Sequence, residues 1–118
     1  MRGISCDSSW ELAFVLYHLD HNIEFIRNTS DSFTYEYKGH LHKFFPDFII
    51  DHEYYEIKNF PSDLTEAKIS CFPKTEKLHV LYYDDVKTYI KYAADTYGKD
   101  YYQLYDRNYP SWMDNSNL

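Results

Sequence analysis

Glycine, proline and cysteine are scarce in this sequence. Its 118 residues include 3 glycines, 4 prolines and 2 cysteines, whereas aromatic residues make up 20%. Disordered chains contain few aromatic residues, so the composition argues against disorder. The length suits one domain and leaves no room for a second hydrophobic core. Cys6 and Cys71 form no CxxC motif; two thiols in a reducing cytosol are expected, with a single disulfide as the alternative.

The sequence also lacks a long hydrophobic run. Its longest apolar stretches, such as residues 48–50, are far too short to cross a bilayer. Residues 1–7 contain no apolar segment of the kind found in signal peptides. These absences predict a cytoplasmic protein without a membrane partner.

Basic residues are fewer than acidic ones. Lys and Arg total 12 and Asp and Glu total 19, which gives a net charge of −7. Proteins that bind nucleic acid through many phosphate contacts present a basic surface, so this charge disfavours long, nonspecific nucleic-acid binding. The first two-thirds of the chain nevertheless holds basic residues that one face of the protein could gather, namely Arg27, Lys38, Lys43, Lys58 and Lys68.

Hydrophobic periodicity predicts a mixture of helices and strands. Phe33, Tyr35 and Tyr37 alternate with polar residues, as in a strand, whereas Trp10 and Phe14 recur at helical spacing. The full pattern predicts helices over 9–20, 63–71 and from 84 to the stop at 98, and strands over 23–27, 33–37, 41–50, 54–59 and 78–83. Pro46 should bend its strand because proline cannot donate to a ladder. Residues 101–105 fit a helix or a strand.

This order of elements predicts an α/β fold. Antiparallel hairpins come first and a strand–helix–strand crossover follows, which favours a mixed sheet flanked by helices on both faces. Residues 1–105 then form one domain, and residues 106–118 form a tail.

Three charged residues stand out on neighbouring predicted strands. Glu56 and Lys58 are two residues apart, so their side chains share one face of a strand, while Ile57 points into the core. Asp47 lies on the preceding strand, and the turn over 51–53 brings it back towards Glu56. Two close carboxylates resist simultaneous ionisation unless a cation lies between them, and oxygen ligands select a hard ion such as Mg²⁺. Such an ion acidifies water, and a nearby lysine stabilises charge on phosphoryl oxygens.

The motif resembles that of a known superfamily. Pro46-Asp47 followed by Glu56-Ile57-Lys58 is similar to the PD-(D/E)xK motif of restriction-endonuclease-like nucleases. With Ser9-x-Glu11 and Ile23-Glu24-Phe25 upstream, the order is similar to that of phage endonuclease I junction resolvases. Phage and intron homing endonucleases look closer still, because residues 97–101 are similar to a segment near the end of their nuclease domain. The likeness covers residues 8–105.

The resemblance implies both a fold and an activity. It implies a restriction-endonuclease-like αβββαβ core, a Mg²⁺ cofactor that Mn²⁺ can replace, and hydrolysis of DNA to a 5′-phosphate and a 3′-hydroxyl in the cytoplasm of a phage-infected or other host cell. Asp47 and Glu56 would be metal ligands and Lys58 the catalytic lysine. Glu11, on the first helix, would complete the metal site and join the catalytic set.

Several residues also have simpler interpretations. Glu11 follows Ser8 with the spacing of a capping box, which explains it without catalysis. His40 and His42 lack further ligands nearby, so solvated histidines are expected rather than a zinc site. Arg27 and Lys68 are expected on the solvated surface, with a phosphate contact as the alternative.

Other functions and states of assembly remain open at this stage. The alternatives to a homing-type DNA endonuclease are a junction resolvase, an RNA nuclease, and a catalytically silent nuclease-fold module that binds a partner. A homodimer that buries residues 89–105 and Trp112 is predicted, because cutting both strands requires two centres. A nicking monomer and a separate DNA-binding partner are the alternatives.

Overall fold

Three α-helices and six β-strands make up residues 9–103, the part of the chain that the computed structural model describes. The helices are α1 (Ser9–Asp20), α2 (Asp63–Cys71) and α3 (Tyr83–Tyr97), and the strands are β1 (Ile26–Arg27), β2 (Phe33–Tyr37), β3 (His40–Phe44), β4 (Phe48–Ile50), β5 (Glu53–Ile57) and β6 (Leu78–Leu81). A 3₁₀ turn follows at Tyr101–Gln103. None of the described helices is long and apolar enough to cross a membrane. Cys6, Ser8, Tyr105, Trp112 and the predicted tail lie outside the described residues.

Four strands form the central sheet, in the order β1-β4-β5-β6. β1 pairs with β4 and β4 with β5 in antiparallel fashion, whereas β6 runs parallel to β5. Helix α2 provides the crossover between the two parallel strands. The predicted mixed α/β sheet flanked by helices is therefore confirmed.

The predicted strand over 41–50 is wrong as a single element. Residues 40–44 pair with β2 in a separate two-stranded sheet, and β4 begins only at Phe48, in the central sheet. Pro46 lies between the two pieces, where its missing N–H ends one ladder before the other starts. The β2–β3 turn uses positive φ angles at Lys38 (53°) and Gly39 (79°), and such angles suit the twist of a tight hairpin. The polypeptide thus leaves the central sheet for a hairpin and returns to it beside the charged residues.

Helix ends follow local chemistry, and the predicted bounds of α1 and α2 are confirmed. The Ser62 hydroxyl accepts a hydrogen bond from the Thr65 backbone N–H at 3.2 Å and so caps α2. Helix α3 ends at Tyr97 and is followed by the cap residue Gly98, whose φ of 94° is costly for other residues. It begins one residue earlier than predicted, because the Asp85 carboxylate accepts a hydrogen bond from the Tyr82 N–H.

Strand ends were predicted less well. The strand predicted over 23–27 pairs only at Ile26–Arg27, and the preceding Phe25 packs into the core. β5 ends at Ile57, so Lys58 follows the strand instead of lying within it. The two faces of the sheet differ in character. Helices α1 and α3 cover an apolar face in which the Phe14 and Phe48 rings stack at 4.6 Å, while α2 and the hairpin cover the charged one.

Candidate active site

The loop that carries Asp47 is held in place by Asn28. The Asn28 side-chain amide donates a hydrogen bond to the Pro46 carbonyl at 2.9 Å, and its backbone N–H donates to the Asp47 carbonyl at 3.0 Å. The Asp47 carboxylate in turn accepts a hydrogen bond from the Ile57 N–H at 2.9 Å. Phe48 pairs with Tyr55, so continuing that register places residue 47 opposite residue 56. The structure therefore brings Asp47, directly before β4, close to Glu56 on the adjacent strand β5.

Glu56 is buried at the centre of this site, with 5% of its surface exposed. Its Oε2 atom lies 3.3 Å from the Nζ of Lys68 and 3.5 Å from the Nζ of Lys58. Its Oε1 atom is also buried but makes no hydrogen bond to any residue between 9 and 103. A buried carboxylate oxygen without a donor is costly, and a cation is one group that would satisfy it.

The Asp47 carboxyl group is perturbed in the direction expected for a carboxylate pair. Burial and repulsion from Glu56 raise the pKa of Asp47 from 3.8 to about 6. The hydrogen bond from Ile57 and the charges of Arg27 and Lys58 oppose this shift without cancelling it. The ionised pair is therefore strained in the absence of a further cation.

Lys58 lies at the mouth of the site. Its backbone N–H donates to the Leu81 carbonyl at 2.9 Å, which continues the pairing of the strands one residue beyond β5. About a third of its side chain is exposed (33%), so its ammonium group faces both Glu56 and solvent. This position suits a group that must contact a substrate.

Lys68 was expected on the solvated surface, and that expectation is wrong. It is 8% exposed on the inner side of α2, where its Nζ donates to Glu56. The rings of Phe44 and Tyr35 lie 5.0 Å and 5.9 Å from the same Nζ. Cation–π contacts and the buried carboxylate together account for a lysine in the interior. Lys68 thus ties α2 and the β2–β3 hairpin to the site.

Arg27 was likewise expected on the surface but lies inside the site. Its Nη1 donates to the Asp47 carbonyl at 2.8 Å and lies 3.6 Å from the Asp47 carboxylate. The guanidinium carbon lies 5.2 Å from the centre of the Phe48 ring. The pairing of β1 with β4 brings Arg27 to this position, because it sets Arg27 directly beside Phe48.

Glu11 reaches the site through Arg27. Glu11 is 4% exposed on α1, and its Oε1 lies 3.9 Å from the Arg27 Nη2. The capping-box interpretation depends on Ser8, which lies outside the described residues. Within residues 9–103, no three His, Cys, Asp or Glu side chains come close enough to form a metal-ligating group. Glu11 therefore does not join Asp47 and Glu56 in a common three-carboxylate cluster.

A divalent cation nevertheless suits the pair formed by Asp47 and Glu56. Mg²⁺ keeps several waters and is commonly held by one or two protein carboxylates together with substrate phosphates. The buried Oε1 of Glu56 and the raised pKa of Asp47 both indicate a place where positive charge would be stabilising. Asp47 and Glu56 are the residues that would hold the ion.

His40 and His42 are both exposed on the hairpin. The His42 ring stacks on Tyr35 with centroids 5.4 Å apart. The one described cysteine, Cys71, is exposed and not in a disulfide.

Comparison with known proteins identifies no relative. No protein-family model, curated protein or solved structure matches this chain. The assignment of the candidate site therefore depends on the geometry of these residues alone.

Replacing Lys68 with methionine should destabilise the protein by about 2 kcal/mol, because it leaves the buried Glu56 charge with only the partly exposed Lys58 beside it. Chemical denaturation at neutral pH measures this change. Lys77→Met is the matched control: the side chain of Lys77 is 71% exposed and 4.0 Å from Glu53, so its loss should have almost no effect. Equal stabilities of the two variants would show that Lys68 contributes no more than a surface lysine.

Proposed function

We propose that this protein is a Mg²⁺-dependent endodeoxyribonuclease of the PD-(D/E)xK kind, acting in the cytoplasm. The observation that carries the proposal is the position of Asp47, directly before β4, opposite Glu56 on β5, with Lys58 beside the second carboxylate. Two carboxylates and a lysine supply what hydrolysis of a phosphodiester requires, namely a place for a hard cation and a donor to the phosphoryl oxygens. Homing-type cleavage is the form of the activity that the sequence resemblance favours.

The topology supports the same proposal. When the β2–β3 hairpin is set aside, the order from α1 to β6 is helix, three strands, helix and strand, as the αβββαβ core requires. The first three strands of the sheet are antiparallel neighbours, and the fourth joins in parallel after the crossover. The hairpin is then an insertion between the first and second core strands.

Each residue of the site has a distinct role in the proposed mechanism. A divalent cation, when bound by Asp47 and Glu56, would supply Lewis acidity and offset the charge of the carboxylates. Lys68 donates a hydrogen bond to the Oε2 atom of Glu56 and so fixes this carboxylate, whose Oε1 atom receives no hydrogen bond from residues 9–103. The exposed end of Lys58 donates hydrogen bonds to the attacking water and to the non-bridging phosphate oxygens, where negative charge develops.

A cleavage assay with defined substrates tests the proposal. Supercoiled plasmid, linear duplex, a four-way junction, single-stranded DNA and a matched RNA are each incubated with Mg²⁺, with Mn²⁺ and with a chelator. We expect DNA to be cut only when a divalent cation is present, with 5′-phosphate ends. A preference for the junction would indicate a resolvase, and cleavage of RNA alone would indicate an RNA nuclease. Absence of cleavage of every substrate with either cation would contradict the proposal.

The net charge of −7 favours one alternative, a nuclease-fold module that binds a partner without cutting. Such a protein would need no extensive phosphate contacts of its own. The same charge is compatible with an enzyme that obtains its DNA affinity from a separate DNA-binding partner. Cleavage of short DNA at low salt by the isolated chain distinguishes an enzyme from a silent module.

A homodimer remains a prediction for double-strand cleavage. Tyr83, Tyr97 and Tyr102 are exposed in the Tyr-rich region, and exposed tyrosines are common in interfaces. Tyr89 is less available, because its ring packs against Phe14 at 5.4 Å. Light scattering at micromolar concentration, with and without duplex DNA, measures the oligomeric state. A monomer under both conditions, with plasmid nicked but never linearised, would exclude the dimer.

A further inference from the structure

The side chain of Arg27 lies between two carboxylates of the site. Its Nη1 atom is 3.6 Å from the Asp47 Oδ1, and its Nη2 atom is 3.9 Å from the Glu11 Oε1. Only 12% of the Arg27 side chain and 6% of the Glu11 side chain are exposed. The Phe48 ring and the Asp47 carbonyl fix the position of the guanidinium group from other sides.

An arginine in this position is a permanent positive charge. Its guanidinium group keeps its proton at any pH at which proteins fold, and its planar fork can serve two oxygen groups at once. A carboxylate as buried as that of Glu11 needs a compensating charge nearby. Arg27 provides this compensating charge. Its guanidinium group lies between Glu11 and Asp47, in the space that a metal ion ligated by both carboxylates would need.

We propose that Arg27 is a built-in cation of the active site, and that Glu11 is a positioning residue that holds Arg27 instead of ligating metal. The site would then bind a single divalent cation, through Asp47 and Glu56. This inference rests on the proposed nuclease function and gives Glu11 a role different from the one that the sequence resemblance implies. The absence of a three-ligand group among residues 9–103 agrees with it.

Mn²⁺ binding by titration calorimetry tests the inference without any need for activity. Glu11→Gln alone should change Mn²⁺ affinity by less than about threefold, because Glu11 is not a ligand. Arg27→Met should tighten binding by about tenfold or add a second ion, because it leaves Glu11 and Asp47 without the cation between them. The double variant should return to near wild-type affinity. A loss of about tenfold or more on Glu11→Gln in both backgrounds would show that Glu11 is a ligand and overturn the inference.

The same two single variants and the double variant also form a double-mutant cycle in thermal unfolding. Because the metal-free protein is used, this second cycle does not depend on the nuclease proposal. Arg27→Met should lower Tm by at least about 5 °C, and adding Glu11→Gln should restore most of the loss, because it removes the uncompensated buried charge. If Arg27→Met does not fold, the double variant should fold, and Arg27→Lys should retain single-ion binding. The exposed pair Lys91 and Asp95 is the control and should show no such rescue.

The two cycles separate the possible failures. A wild-type protein that binds no Mn²⁺ would refute the proposed function, whereas the stability cycle would still judge the pairing of Arg27 with Glu11. If the Tm change of the double variant equals the sum of the changes for Arg27→Met and Glu11→Gln, the pairing is refuted, even in an active nuclease.

Discussion

Replacing Lys58 with alanine is expected to reduce DNA cleavage by about a hundred- to a thousandfold. The ammonium group of Lys58 is the partly exposed cation beside Glu56, and donors aimed at developing charge typically contribute about a hundred- to a thousandfold to the rate. The loss should appear in kcat more than in KM, because the contact strengthens as charge develops on the phosphoryl oxygens. Single-turnover cleavage of a labelled duplex with saturating Mg²⁺ measures it.

The fold of this variant should be intact. The Lys58 backbone N–H keeps its bond to the Leu81 carbonyl, and Lys68 still compensates Glu56, so the free energy of unfolding should fall by less than about 1 kcal/mol. The control Lys77→Ala makes the same substitution at an exposed lysine beside Glu53, outside the carboxylate pair, and should cut DNA at the wild-type rate. If Lys58→Ala also cleaves at the wild-type rate, Lys58 is not the catalytic lysine.

The features that sequence could predict are those that depend on short-range patterns. The capping hydroxyl of Ser62, the stop at Gly98 and the alternation of residues 33–37 each act within a few residues, so their elements were predicted closely. The approach of Asp47 to Glu56 also follows from local rules. A two-residue turn at Asp51–His52, with φ angles of 53° and 69°, fixes the register between β4 and β5.

The features that sequence could not predict depend on partners far along the chain. The β2–β3 hairpin was expected, but nothing in the alternation of its residues indicates that it lies outside the central sheet. The burial of Lys68 depends on Glu56 and on the rings of Tyr35 and Phe44, which lie 12 to 33 positions earlier in the chain. One signal was available: Lys68 follows the inward-facing Thr65 by three residues, and this spacing puts both on one face of α2.

The same reasoning applies to Arg27. Its interior position requires that β1 pair with β4 and that α1 present Glu11 to it, and neither contact is visible in the residues around position 27. A charged residue directly after an apolar run normally indicates the end of a strand in solvent. Here it marks the point at which the edge strand reaches the site.

Replacing Asp47 with asparagine is expected to abolish cleavage and to stabilise the metal-free protein at neutral pH. The pKa of Asp47 is raised from 3.8 to about 6, so the folded state prefers its protonated form. The stability that this protonation contributes is complete below about pH 4 and is lost as the pH rises through about 6. Asparagine does not titrate, and its amide oxygen can still accept the hydrogen bond from the Ile57 N–H. The variant should therefore match the wild type at about pH 4 and exceed it by about 3 kcal/mol well above pH 6.

A divalent cation should reverse this order of stabilities. Mn²⁺ that binds the ionised pair of Asp47 and Glu56 stabilises the folded wild-type protein by mass action, whereas Asp47→Asn lacks one of the two ligands. Urea denaturation at pH 4.5 and 7.5, with Mn²⁺ or with chelator, gives both comparisons from one pair of proteins. Asp100→Asn removes an exposed carboxylate after α3 and is the control for a general effect of charge. If Mn²⁺ stabilises wild type and Asp47→Asn equally, Asp47 is not a ligand, and the carboxylate pair cannot be the centre of a metal-dependent nuclease.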